Sequence, residues 1–98
     1  MPDMAKERAV RTILASVGRG GLNRSEDVRL VQELLNRHIR PPQPGLVVNG
    51  VVDSRLLAAL EAFQRRVLQM HRPDGLVEPG SQTFTALAGQ AEQPTNPP

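Results

Sequence analysis

Residues 49–53, Asn-Gly-Val-Val-Asp, return at residues 74–78 as Asp-Gly-Leu-Val-Glu, with a similar residue type at every position. Each copy opens with a turn signal, because Asn-Gly and Asp-Gly favour tight turns. Two apolar residues then follow that can anchor the loop to a core. A serine and a helical pattern come after each copy, at 54–60 and 81–87. The sequence therefore predicts two related loop–helix units, which are too few for a solenoid.

Apolar residues recur at helical spacing in two longer stretches, from about residue 25 to 38 and from about 54 to 70. A short last helix is expected to open at residues 80–81. Four side chains are candidates to cap the two longer helices at their N-termini: Asn23, Ser25, Asp53 and Ser54. These patterns predict an all-α fold, a compact three-helix bundle with a pseudo-twofold loop–helix repeat.

The two ends of the chain lie outside this bundle in the predicted organisation. Residues 1–21 form an N-terminal helix and a glycine-rich linker, the helix covering 5–17 with Ala9, Ile13 and Val17 on one stripe. Residues 22–89 form the domain. Residues 90–98 are polar and proline-rich, which predicts a disordered tail.

Composition narrows the classes of protein that need consideration. The 98 residues include no Cys, so disulfides and thiolate zinc sites are excluded. The net charge is only +2, although the pI is near 10.4, because all but one of the 12 basic residues are Arg. No apolar stretch approaches the ~18 residues of a membrane span, and no export signal is evident. We therefore expect no membrane partner.

Neither a catalytic centre nor a metal site is predicted. Acidic candidates have simpler roles as caps, turn residues or exposed helix positions, and no nucleophile motif exists. The two histidines are expected to be solvated cations at helix ends beside arginines. No cofactor is expected. The residues weighed for these roles are Asp53, Glu61, Asp74, Glu78, His38, His71 and Asn49.

Nucleic-acid binding is also not expected. Five arginines near the helix ends would gather only in one particular helix geometry, and both phenylalanines have an inward helical phase, which leaves no ring for base stacking. The arginines are Arg37, Arg40, Arg65, Arg66 and Arg72.

Residues 27–36, 48–53, 59–64 and 73–83 follow one another in the order and spacing of a known family. They resemble the peptidoglycan-binding domain family, the small three-helix module joined to many cell-wall hydrolases. The stretch 16–23 is similar to members found in phage lysis proteins and secreted effectors. The chain departs from the family pattern at Asp53 and Leu56, where Gly and Thr are usual, whereas the second unit keeps Thr83.

The resemblance implies non-catalytic binding of bacterial peptidoglycan, which targets a hydrolase or a lytic or effector protein to the wall. Trp and Tyr, the usual sugar platforms, are absent, so the stem peptide is the expected epitope. Gln64 has a second interpretation, in which its amide ties the following loop to its helix; Gln32, Asn36 and Thr83 are read as structural. The predicted ligand-binding residues are Arg55, Gln64, Arg65, Asp74 and Gln82.

A protein-docking module of a phage or secretion-system protein, with lapsed wall binding, is the alternative. An exposed apolar stripe on the helix over 5–17 would favour it. The expected partners are thus peptidoglycan and either a hydrolase domain or a secretion or phage protein. The chain is expected to be made in the cytoplasm and, if exported, to act at the bacterial cell wall or in the periplasm.

Overall fold

The computed structural model describes residues 12–92 of the chain. This part contains three helices and a two-stranded antiparallel sheet in which Val17 pairs with Val77 and Gly18 with Leu76. The fold is therefore mixed α/β, and the all-α prediction is wrong. The elements in chain order are β1 (Val17–Gly18), α1 (Ser25–Asn36), α2 (Ser54–Val67), β2 (Leu76–Val77) and α3 (Gln82–Glu92).

The backbone between residues 12 and 18 is held by side chains instead of by helical hydrogen bonds. The amides of Leu14 and Ala15 each donate to the carboxylate of Asp27 over 3.0 Å, and the amide of Gly18 donates to Asn23 Oδ1 over 2.7 Å. An α-helix would need these amides for its own carbonyls. The helix predicted over 5–17 is thus wrong for residues 12–17, and residues 5–11 lie outside the described residues.

A single hydrophobic core joins all the elements, and α1 packs against both α2 and α3. Ile13 and Val17 are only 1% and 0% exposed, so they belong to this core although they are not helical. Both phenylalanines are buried, which confirms their inward phase. The buried apolar side chains are Ile13, Val17, Val28, Leu30, Val31, Leu34, Leu35, Leu56, Leu60, Phe63, Val77, Phe84 and Leu87.

Two of the three helices begin at a side-chain cap. Asp53 accepts from the Leu56 amide at 2.9 Å, as predicted, and Ser81 accepts from the Phe84 amide at 3.2 Å. At the start of α1 the N-cap is Arg24, which makes no side-chain cap bond. The caps predicted there are wrong, because Asn23 already bonds Gly18 through both its amide oxygen and its amide nitrogen.

The helix ends differ slightly from those predicted. α1 stops at Asn36 and α2 at Val67, two to three residues early. α3 continues to Glu92, so residues 90–92 are helical where a tail was expected. The remainder of that tail, 93–98, lies outside the described residues.

Gln64 ties the second turn to α2, which confirms the structural interpretation of this side chain. Its Oε1 accepts from the Gly75 amide at 2.9 Å. Its Nε2 donates to Asp74 Oδ1 at 2.8 Å, to the Leu76 carbonyl at 3.3 Å and to Thr83 Oγ1 at 3.2 Å. The buried amide of Gln64 therefore fixes both the Asp-Gly turn and the start of α3.

Gln32 holds the first turn in the same manner. Its Oε1 accepts from the amides of Asn49 and Gly50, at 3.0 and 2.9 Å. Its Nε2 donates to Asn49 Oδ1 and to the Val51 carbonyl, at 3.1 and 3.2 Å. The two sequence copies thus share most of one hydrogen-bond pattern. They differ in the Asn49 amide bond, which has no counterpart at Asp74, and in the hydroxyl bond of Thr83, which Leu56, a buried core residue, cannot supply.

Candidate binding groove

A groove of about 320 Å³ lies between the C-terminal end of α1, the loop 39–46 and one face of α2. Eight of its twelve lining residues are apolar. The lining residues are Leu35, His38, Ile39, Gln43, Pro44, Leu46, Arg55, Ala58, Ala59, Ala62, Phe63 and Arg66.

Asn36 fixes the loop that forms one wall of this groove. Its Nδ2 donates to the Leu46 carbonyl at 3.0 Å, and its Oδ1 accepts from the Leu46 amide at 2.6 Å. Gly45 lies so close that a Cβ there would stand 3.1 Å from the same Oδ1. Within the loop, the Gln43 amide donates to the Arg40 carbonyl at 3.0 Å. The loop is therefore tied back to α1 at its far end.

The floor of the groove is a stripe of small side chains on α2. Ala58, Ala59 and Ala62 recur at helical spacing between Arg55 and Arg66. These two arginines are eleven positions apart, which corresponds to about 16 Å along a helix axis. The floor is therefore shallow and apolar, and a guanidinium stands toward each end of it.

The positive charges along the groove and its end belong to arginines, and their ion pairing decides whether they can bind an anion. Among residues 12–92, no ion pair involves Arg40, Arg55 or Arg66. None of the side chains that line the groove is a carboxylate. An anionic ligand would therefore meet guanidinium groups that no carboxylate of the described residues occupies.

His38 lies at the end of α1 with its ring against the core. The ring meets Phe63 edge-on, with centroids 4.9 Å apart, and its Nε2 is buried with no hydrogen-bond partner in the part of the chain described. Burial lowers the pKa of His38, and the charges of nearby arginines lower it further, while the backbone of Leu87 partly offsets the shift. The prediction of a solvated cation is therefore wrong for His38; His71 is exposed.

A second, more polar pocket of about 350 Å³ continues from the groove past the end of α1. His38, Gln43 and Arg66 line both cavities. Arg40 and Val67 complete the second pocket. The two cavities thus form one continuous surface that is apolar over α2 and cationic at the C-terminal end of that helix.

The structure does not bring the five predicted ligand-binding residues together. Arg55 lines the groove, and Gln64 is 0% exposed and committed to the second turn. Asp74 accepts from Gln64 and from the Leu76 amide. Arg65 and Gln82 are exposed but line neither of these two cavities.

Arg40, Arg66 and His38 line one pocket but were not among the predicted ligand-binding residues, although Arg40 and Arg66 belong to the five arginines that one helix geometry was expected to gather. A signal for Arg66 was present, because it lies four residues after Ala62 and so continues the alanine stripe. The position of Arg40 depends on the loop that Asn36 holds at Leu46. No local sequence pattern predicts this contact between Asn36 and Leu46.

Residues 12–92 contain no group of three or more His, Asp or Glu side chains placed to hold a metal ion. None of the helices there has the length and apolar character needed to cross a bilayer.

Comparisons of the chain with protein-family models, with curated proteins and with solved structures found no match. The resemblance to the peptidoglycan-binding domain family therefore depends on the residues of this chain alone.

Proposed function

We propose that this chain is a non-catalytic module that binds bacterial peptidoglycan through the stem peptide, with the groove between α1 and α2 as the contact surface. One observation carries the proposal: an alanine floor bordered by the guanidinium groups of Arg55 and Arg66, which have no ion-pair partner among residues 12–92. The ordered motifs that resemble the peptidoglycan-binding domain family support the same ligand.

The chemistry of a stem peptide matches this surface. Such peptides carry methyl side chains, amides and carboxylates on a short chain. Methyl groups can pack on Ala58, Ala59 and Ala62, where each buried carbon contributes about 0.8 kcal/mol. Carboxylates can accept charge-assisted hydrogen bonds from Arg55 and Arg66, and two parallel bonds from one guanidinium also fix orientation. A weak site suffices for targeting, because tethering to a second domain raises the effective concentration.

The lining of the groove favours binding over hydrolysis. General acid–base catalysis needs paired titratable groups within hydrogen-bond reach of the substrate. The described side chains along the groove include one titratable group of suitable range, His38, and its pKa is lowered by burial. The proposal therefore assigns binding to the groove, and no catalytic role.

The docking alternative receives less support. This alternative would be favoured by an apolar stripe near the N-terminus that is not buried within the domain. Ile13 and Val17, two residues of that stripe, are instead buried in the core of this same chain.

Retention on purified peptidoglycan sacculi tests the proposal. We expect the wild-type chain to co-sediment with sacculi and the double variant Arg55→Ala/Arg66→Ala to remain in the supernatant. The matched control is Arg65→Ala/Arg72→Ala, which removes the same charge from exposed positions that line neither cavity. Equal recovery of the wild-type chain with and without sacculi would overturn the proposal, as would equal loss in both double variants.

A further inference from the structure

The cationic pocket at the end of the groove has a composition of its own. Its five lining residues include two guanidinium groups, an imidazole and a primary amide, and no carboxylate. Neither Arg40 nor Arg66 is committed to an ion pair within the described residues. The pocket is thus lined by hydrogen-bond donors, and none of its own side chains is an anion that could pair with them.

We propose that this pocket, formed by Arg40, Arg66, Gln43 and His38, binds the terminal carboxylate of a peptide that ends in alanine. The inference rests on the proposed function, because it assigns one end of the groove to one end of the stem peptide. The peptide then runs from Arg66 across Ala62 and the other alanines toward Arg55.

Two features favour a carboxylate over other anions. First, the surface that continues from the pocket is apolar and shallow at Ala62 and Phe63, which fits a methyl side chain next to the charged group. Second, a guanidinium fork matches the planar geometry of a carboxylate, and a lowered His38 pKa leaves the two arginines as the carriers of positive charge near neutral pH.

The local fold positions the backbone that carries each of the two arginines. Arg66 is held on the last turn of α2, while Arg40 lies on the loop that Asn36 anchors at Leu46. The Arg40 carbonyl accepts from the Gln43 amide, which keeps both side chains on the same short turn. The backbone around the pocket is therefore held in place before a ligand binds, whereas the two arginine side chains are ordered on binding.

Nuclear magnetic resonance titration with two small probes tests the proposal. The probes are acetyl-D-alanyl-D-alanine and the same peptide with a terminal carboxamide. We expect the acid to bind the wild-type chain at least about tenfold more tightly than the amide. In Arg40→Ala/Arg66→Ala this preference should disappear, whereas Arg65→Ala/Arg72→Ala should retain it. Thermal unfolding of each variant verifies that it is folded.

Equal binding of acid and amide by the wild-type chain would overturn the inference, and so would a preference that survives in Arg40→Ala/Arg66→Ala. Tighter binding of inorganic phosphate than of the acid peptide would also overturn it, in favour of a phosphoryl ligand. Retention on sacculi separates the two proposals. Retention without an acid preference removes only this inference, whereas an acid preference without retention removes only the wall-binding function.

Discussion

The side-chain amide of Gln64 donates to the carboxylate of Asp74 over 2.8 Å, ten residues further along the chain. Gln32 makes the corresponding bond to Asn49 over 3.1 Å. Each glutamine also accepts from the amide of the glycine that follows its partner. In both loop–helix units a buried glutamine side chain therefore holds the turn by hydrogen bonds. Gln64 additionally fixes the start of α3 through Thr83.

Replacement of Gln64 by alanine should destabilise the fold strongly. The change leaves the Gly75 amide and the Leu76 carbonyl without their side-chain partner in a buried turn. Unsatisfied groups of this kind cost about 1–3 kcal/mol each, so we expect a loss of about 2–4 kcal/mol in urea unfolding. Gln82→Ala, at an exposed position, serves as control and should change stability by less than about 0.5 kcal/mol. A Gln64→Ala variant as stable as the wild type would contradict the assigned role.

The close approach of Gly18 to Gly75 gives a second prediction. A Cβ at residue 18 would lie 2.1 Å from the Gly75 carbonyl oxygen, and the φ of Gly18 is +118°. Gly18→Ala should therefore break the β1–β2 pairing and cost more than about 3 kcal/mol of unfolding free energy. Gly89→Ala is the matched control, because a Cβ there would lie within 4 Å of no described atom beyond its chain neighbours and its own helix backbone. That helical change should stabilise the chain by up to about 1 kcal/mol. Similar effects of the two substitutions would count against the described sheet.

Asp27 is expected to hold the segment before β1 in place. It is 4% exposed and accepts from the amides of Leu14 and Ala15. Asp27→Ala should speed hydrogen exchange at these two amides and cost about 2–4 kcal/mol, because bonds to a charged acceptor contribute about 1.5–3 kcal/mol each. Glu26→Ala, at the exposed neighbouring position, should leave both exchange rates unchanged. Unaltered exchange in Asp27→Ala would argue against this anchor.

His38 should make the fold less stable in mild acid. Its pKa is lowered from 6.5 by burial and by the charges of Arg66, Arg40 and Arg37. The unfolded chain therefore takes up the proton first, and stability present above pH 6.5 is lost as the pH falls through the folded pKa. His38→Gln should remove this component, whereas the control His71→Gln should retain it. The comparison of melting temperatures at pH 5 and 8 checks the difference, and identical pH profiles for all three proteins would refute it.

The local units of the fold could be predicted from sequence because each carries its own signal. Asn-Gly and Asp-Gly mark the turns, and Asp53 caps α2 as its position suggested. The strands could not be predicted, since Val17–Gly18 and Leu76–Val77 are too short to show a period of two. The spacing of Ile13 and Val17 instead imitated a helix stripe, although Ile13 reaches the core from an irregular backbone and Val17 reaches it from β1.

The candidate site was predicted less well than the turns. Arg65 and Arg66 are neighbours in sequence, but helical geometry turns them about 100° apart, so that only Arg66 lines the groove. Gln64 has the residue type of a ligand contact, yet its burial commits it to the turn. The cationic pocket depends on a loop held from a distance by Asn36, which sequence patterns do not reveal.

Titration of the isotope-labelled chain with a soluble stem-peptide fragment shows whether the groove binds the wall peptide, because backbone amide resonances locate the contact. We expect shifts concentrated in residues 38–46 and 55–66, which surround the groove, and little change at β1 and β2. Shifts confined to the β1–β2 side, or none at millimolar fragment, would contradict the assignment of this groove to the wall peptide.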